Sequence, residues 1–145
     1  MNAQRNFATV WAEKDPLAAA RWAETLDKES QSIAANTIAT IWSAQDWPET
    51  RKWLGTISGD FRDSAVGGAL MSDYENRVPP VESLPLALSM MDKQYRNSVV
   101  AHIIRRWAAD EPQAAVDWIQ NSVLSHEEKQ ELLSLEVFSQ ERYQP

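Results

Sequence analysis

The stretch WAEKDPLAAARW, residues 11–22, places two tryptophans eleven residues apart on either side of an Asp-Pro pair and a run of alanines. The same spacing returns in WSAQDWPETRKW, residues 42–53, and in WAADEPQAAVDW, residues 107–118. The first and last of these segments lie 96 residues apart, which is three periods of 32. Because fixed periods of about 20 to 50 residues are typical of repeat architectures, the sequence predicts a repeated structural unit.

Each unit is predicted to contain two helices. The residues three, four, seven and eight positions before Trp42 are all apolar and form the stripe of an amphipathic helix: Ala39, Ile38, Ala35 and Ala34. The other helix begins at a proline, where Asp15 can cap the helix and Pro16 takes the first helical position. Between the helices lie short polar breaks, so consecutive helices are expected to fold back as antiparallel hairpins.

This pattern predicts an all-α protein, an α-solenoid of about four stacked antiparallel hairpins. The repeats are expected to form a single helical-repeat domain over residues 1–145, which is either a whole solenoid or part of a longer one. No segment favours a strand. The expected helices cover residues 3–13, 16–26, 30–44, 48–54, 61–75, 84–91, 94–109, 112–121 and 126–142.

The repeated Asp-Pro, alanine and tryptophan positions, with another aromatic about twenty residues after the second tryptophan, resemble the tetratricopeptide-like helical repeats. The resemblance covers nearly the whole chain. The period of 32 is shorter than the 34 residues of that family, and the Leu-Gly and Tyr of its first helix are absent. What the resemblance implies is a solenoid of helical hairpins that binds proteins, without residue-specific roles.

Charge and composition narrow the classes of partner. The net charge is −7, with seven basic and nine acidic residues in 1–72 and seven and twelve in 73–145. An acidic surface repels phosphate backbones, so nucleic acid is not expected as a partner. No apolar run reaches the roughly 20 residues that span a bilayer, so no membrane partner is expected. The compartment stays open: a soluble cytoplasmic protein is the default expectation, and export after removal of a leader is the alternative.

Six of the seven tryptophans occupy repeat positions and are predicted to form the core. A buried tryptophan removes about 150 to 250 Å² from water. Trp47 is the exception, because it stands beside Pro48 in a turn between hairpins. It is expected either to anchor a partner or to cover the end of a neighbouring helix.

The third unit departs from the pattern. Asp73 replaces one tryptophan, Met91 replaces the other, and YENRVPPVESLP lengthens the connection. Such a loop can carry binding residues, or the repeat can have drifted and repacked locally. Gly67 and Gly68 precede it and are expected to permit close helix packing or a kink. Because Asp73 and the two glycines remove apolar area that would join neighbouring hairpins, this unit is predicted to be the least stable.

Polar residues at repeat positions form predicted ladders along the stacked helices. One ladder contains Thr9, Thr40, Met71 and Arg105, and another contains Asn6, Thr37, Gly68 and His102. A third precedes the second tryptophan of each unit and contains Arg21, Lys52, Met90 and Asp117. Ladders of this kind line the binding surfaces of solenoids, and they also arise as plain solvated faces.

No sequence motif indicates catalysis, a metal or a cofactor. The two histidines, His102 and His126, are 24 residues apart without a second ligand at helical spacing. The acidic pair after Ser125 has the pattern of a capping box. No catalytic, cofactor-binding or metal-binding residue is therefore expected.

The sequence favours a non-catalytic module that binds a protein or peptide. The candidate partner-binding residues are Trp47, Arg21, Lys52, Asp73, Tyr74, Arg77, His102 and Arg105. One alternative is a small-molecule-binding or catalytic domain that uses the irregular third repeat around Asp73–Glu82. Another is a structural oligomerisation segment of a larger protein.

The last predicted helix, from Ser125 to about Arg142, is apolar on a second face formed by Leu132, Leu133 and Val137. An apolar outer face implies cover from another element. We expect a homodimer through this helix. The alternatives are a downstream repeat that has been removed and packing of the leucines against the preceding hairpin.

Overall fold

The computed structural model describes residues 2–71 and 78–139. These residues form helices only, without any strand, so the predicted all-α class is confirmed. The helices are α1 (Asn2–Lys14), α2 (Pro16–Ala23), α3 (Lys28–Gln45), α4 (Trp47–Leu54), α5 (Gly59–Leu70), α6 (Pro80–Leu88), α7 (Lys93–Asp110), α8 (Pro112–Asn121), α9 (His126–Leu133) and α10 (Glu136–Ser139).

The chain divides into two compact units, Met1–Val99 and Val100–Pro145. The division falls within α7, so the first unit contains α1–α6 and the start of α7. The single domain expected over residues 1–145 remains a prediction, and each unit is described by itself.

The short helices begin where the Asp-Pro and serine signals predict. The Asp15 carboxylate accepts a hydrogen bond from the Ala18 amide at 3.1 Å, and Asp46 accepts one from Glu49 at 3.2 Å. Ser125 and Glu128 complete the predicted capping box at the start of α9. These side chains satisfy backbone donors that a helix leaves unpaired in its first turn.

In the first unit, α3 contacts α1, α2, α4 and α5. Its buried apolar residues follow the predicted stripe and are Ala34, Ala35, Ile38, Ala39 and Trp42. Three of these five side chains are alanine, so they leave room for neighbouring helices to approach α3 closely. Helix α5 continues the packing through contacts with α4 and α6.

Gly67 and Gly68 in α5 permit close packing, one of the two roles expected for them. A Cβ atom at Gly68 would overlap the backbone of Asn36 in α3, and a Cβ atom at Gly67 would overlap the Tyr95 hydroxyl. The Thr40 hydroxyl donates to the Gly68 carbonyl at 3.0 Å across the same crossing. Glycine is therefore required at Gly68, which faces backbone, whereas the Tyr95 side chain can move away from a residue at Gly67.

The tryptophans of the first unit pair between α1 and α2 and between α3 and α4. The ring centroids of Trp11 and Trp22 are 5.6 Å apart, and those of Trp42 and Trp53 are 5.4 Å apart. Trp42 and Trp53 are buried, whereas Trp11 and Trp22 are half-buried. The predicted core role of these residues therefore holds most fully in the second pair.

In the second unit, α8 contacts α9. Its buried residues include Ala115 and Ile119 on α8, Leu132 on α9 and Phe138 on α10. The start of α8 differs from those of α2 and α4, because Glu111 makes no side-chain capping bond. Its carboxylate instead accepts a hydrogen bond from the Trp107 indole at 3.1 Å.

Two helix boundaries in the third repeat differ from the predicted ones. Helix α5 ends at Leu70 rather than near residue 75, and α6 begins at Pro80 rather than near residue 84. Pro80 fits because a first helical position needs no amide donor. Pro85 lies inside α6, where its missing donor leaves the carbonyl of Val81 without its helical partner. Both residues are exposed, so water can satisfy that carbonyl.

The C-terminal helix predicted over 126–142 is interrupted. Helix α9 ends at Leu133, and the four-residue α10 follows from Glu136 to Ser139. The Ser134 hydroxyl donates to the Glu131 carbonyl at 2.7 Å. Such a local side-chain bond competes with the regular helical pattern and is compatible with a helix end at this position.

Candidate functional site

Trp47 links two helices of the first unit. Its indole nitrogen donates to the Glu82 carboxylate on α6 at 3.0 Å, and Arg51 lies 3.8 Å from the other oxygen of that carboxylate. Trp47 is half-buried. Of the two roles expected for Trp47, this arrangement matches cover of a neighbouring helix, since its polar atom is engaged within the chain.

Arg21 and Lys52 occupy equivalent positions on α2 and α4, and both are exposed. The Lys52 ammonium donates a hydrogen bond to the Glu49 carboxylate at 2.9 Å, and this bond raises the pKa of the lysine. The third position of the same ladder differs, because Met90 is buried. The basic pair is therefore a solvent-facing feature of the first two hairpins.

His102 and Arg105 lie on α7 in the second unit, where His102 is half-buried and Arg105 is exposed. Three residues separate them, so they share one side of the helix. Asp73, Tyr74 and Arg77 lie outside the described residues. The five described candidate residues thus lie on three different helices in two units. Among them, Arg21 and Lys52 are the pair that occupies equivalent repeat positions.

The predicted polar ladders are partly internal. Thr40 donates to the carbonyls of Asn36 and Gly68, and Thr37 donates to that of Ile33. Gly68 is buried. Thr40 joins α3 to α5 and Thr37 bonds within α3, so the first two ladders do not form a continuous solvent-facing row.

The residues proposed for self-association differ in exposure. Leu132 is 7% exposed and belongs to the core of the second unit, which corrects its assignment to an outer face. Leu133 and Val137 are half-buried. The break between α9 and α10 changes the register, so a continuous apolar stripe over these positions is not formed.

An aromatic cluster with exposed apolar neighbours lies on the first hairpin. The Phe7 ring centroid is 5.4 Å from that of Trp11 and 4.9 Å from that of Trp22. Phe7, Val10 and Leu17 are nevertheless 52%, 54% and 44% exposed. We call these three residues the front face. The sequence analysis did not identify it, although an apolar Phe7 at a repeat position was a usable signal.

Asp63 is a buried carboxylate that the sequence analysis also missed. It is 3% exposed and accepts hydrogen bonds from the Met91 amide at 3.0 Å and the Asp92 amide at 2.8 Å. Tyr95 lies nearby, and its pKa is raised chiefly by burial, with a further contribution from the Asp63 charge. Asp63 thus holds the segment that leads into α7.

A repeated polar contact joins the long helices to the ends of the short ones. The Gln31 amide donates to the Glu24 carbonyl at 2.8 Å, and Arg62 donates to the Leu54 carbonyl at 3.2 Å. Gln31 and Arg62 are 31 residues apart, close to the repeat period. This spacing could be recognised in the sequence, but the contacts hold helices together and do not indicate a binding site.

Within residues 2–71 and 78–139, no three histidine, aspartate or glutamate side chains are grouped as a metal site would require. No helix in these ranges has the length and apolar character needed to cross a membrane. Comparison with protein-family models, curated proteins and solved structures finds no match.

Proposed function

We propose that the chain is a non-catalytic helical-repeat module, a short α-solenoid that binds a protein or peptide. One observation carries the proposal: successive long helices are joined by hydrogen bonds at separations close to the repeat period. Asn36 donates to the Ser64 carbonyl and Thr40 to the Gly68 carbonyl, both 28 residues away. Gln45 donates to the Glu13 carbonyl, 32 residues away.

These bonds favour stacked hairpins over an irregular helical bundle. When each hairpin packs mainly on its sequence neighbours, equivalent surface positions line up along the stack. Arg21 and Lys52 are such positions, and both are exposed. Their charge suits a partner segment that presents carboxylates to the outer side of α2 and α4.

The polar groups of the first unit support a binding role rather than catalysis. Asp63 engages two backbone amides, Arg62 engages the ends of α4 and α6, and Trp47 engages Glu82. These side chains hold helices in place. The alternative use of Asp73–Glu82 for ligand binding or catalysis rests on residues that mostly lie outside the described ranges, and no described contact favours it.

The proposal is tested by capture of partners on the full chain and on two charge-reversed variants. The test variant is Arg21→Glu/Lys52→Glu. The control is Lys28→Glu/Lys93→Glu, which makes the same change in net charge at exposed first-turn positions of α3 and α7. Acidic residues are favourable in a first helical turn, so the control is expected to fold normally.

We expect at least one captured protein to be retained by the control and to bind the test variant about tenfold more weakly, a loss of about 1.4 kcal/mol. Quantitative mass spectrometry identifies it, and calorimetry with the purified protein measures the affinity. The proposal is wrong if every captured protein binds the parent, control and test variant equally.

A further inference from the structure

The front face is the most exposed apolar feature of the first hairpin. Phe7 and Val10 are three residues apart on α1, so they lie on the same side of that helix. More than half of each side chain is exposed, although Phe7 also contacts two tryptophan rings. Contiguous apolar exposure of this kind marks an interaction surface.

In the second helix pair, the position equivalent to Phe7 is fully covered. Phe7 and Ile38 each stand four residues before the first tryptophan of their repeat, yet Ile38 is 0% exposed. Trp42 and Trp53 are buried, whereas their counterparts in the first hairpin are half-buried. Helix α3 contacts the preceding α1 and α2 as well as α4 and α5, whereas the main contacts of α1 are with α2 and α3. By comparison with α3, a preceding helix pair is the element that fits such a face.

A second copy of the chain can supply that hairpin from its C-terminal part. Leu133 and Val137 keep part of their apolar surface accessible, and Glu131 and Glu136 beside them are exposed. Two copies of this acidic face would bring like charges together, which disfavours contact between two C-terminal helices. Beside the front face, exposed Lys14 and exposed Glu13 both lie one turn after Val10, so its charge is mixed rather than acidic.

We propose that copies of the chain associate head to tail, with α9–α10 of one copy covering the front face on α1–α2 of the next. This inference rests on the proposed repeat stacking and names a second copy as one partner. It replaces the expected symmetric contact through the C-terminal helix with a contact between two different faces. A contact between two different faces adds one copy after another, so it produces either a closed ring or an open filament.

Sedimentation velocity across a dilution series tests the inference with the full chain and two variants, Phe7→Glu and Leu133→Glu. The parent is expected to form a series of oligomers that grows with concentration. Each variant alone should stop this growth, because it has lost one of the two faces. Circular dichroism checks that both variants remain helical.

The decisive measurement is the mixture of the two variants. Leu133→Glu keeps an intact front face and Phe7→Glu keeps an intact C-terminal face, so the mixture is expected to form a species of twice the chain mass. Val81→Glu changes an apolar residue that is 73% exposed on α6 and should leave association unchanged.

A monomeric parent at every concentration would overturn the inference, as would a mixture that stays monomeric. A parent dimer that only one of the variants disrupts would also overturn it, since that result indicates a symmetric contact. These outcomes are separable from failure of the proposed function. Partner capture that depends on Arg21 and Lys52 can be measured on the monomeric Phe7→Glu chain.

Discussion

Gly68 and Asn36 bring the backbones of α5 and α3 into contact. A Cβ atom at Gly68 would lie 2.9 Å from the Asn36 Cα atom, closer than side chains can normally approach. Judged by helix propensity alone, a glycine within a helix lowers stability relative to alanine. Its benefit becomes visible when the neighbouring helix is placed, because the missing side chain allows the Thr40 hydroxyl to reach the Gly68 carbonyl.

Gly68→Ala is expected to lower the free energy of unfolding by about 2 kcal/mol, because the added methyl group meets backbone that cannot rotate away. Urea denaturation measures the change. Gly55→Ala is the control, since Gly55 is exposed at the end of α4 and its change should stay within about 1 kcal/mol. Stabilisation by Gly68→Ala, as helix propensity alone would give, would contradict the close crossing.

Trp42→Ala is expected to cost about 3 to 5 kcal/mol, since it removes a buried ring from a packed pair and leaves a cavity. Trp47→Ala should cost only about 1 to 2 kcal/mol, because the half-buried ring loses one hydrogen bond and little core contact. Chemical denaturation compares the two variants. Equal losses would show that the distinction between core and linking tryptophans is wrong.

At the scale of elements, Asp63 determines how α7 begins. Asp63 lies in α5, and its carboxylate accepts hydrogen bonds from the backbone amides of the two residues just before α7. A negative charge is favourable at this position because the start of a helix presents unpaired donors and a partial positive charge. The contact joins the third hairpin to the helix that follows it.

Asp63→Ala should lower the free energy of unfolding by about 3 kcal/mol, because two amides lose a charged acceptor in a buried setting. Asp60→Ala provides the matched control in the same helix. Asp60 is exposed in the first turn of α5, and its removal should cost about 0.5 kcal/mol. If urea titrations give the same midpoint for both variants, Asp63 has no anchoring role.

Helix beginnings were easier to predict from the sequence than helix ends. Asp15 and Asp46 signal their helices through a local bond to the third residue that follows, and the structure contains both bonds. The end of α9 depends on a serine that bonds backward, and serine is compatible with many other local structures. Helix α6 can contain Pro85 because Val81, whose carbonyl loses its helical partner, is exposed to water. The sequence alone does not specify that exposure.

For the whole molecule, the repeat period predicted which helices are neighbours in the first unit, but not which side chains remain exposed. Front-face exposure follows from which helices pack around α1, and the burial of Leu132 follows from the break after α9. The equivalent basic pair Arg21 and Lys52 was found from spacing because both residues lie on the outer side of their helices. Asp63 was missed because its partners, Met91 and Asp92, are 28 and 29 residues away in the sequence.

Stacking of successive long helices at the repeat spacing is tested by nuclear Overhauser effects between α3 and α5. If these helices stack, strong cross-peaks are expected between the Hα protons of Gly68 and the Hα proton of Asn36, since their backbones are in contact. Helical cross-peaks within α3 and α5 serve as the internal control. Intact helices without cross-peaks between Gly68 and Asn36 would contradict the stacking.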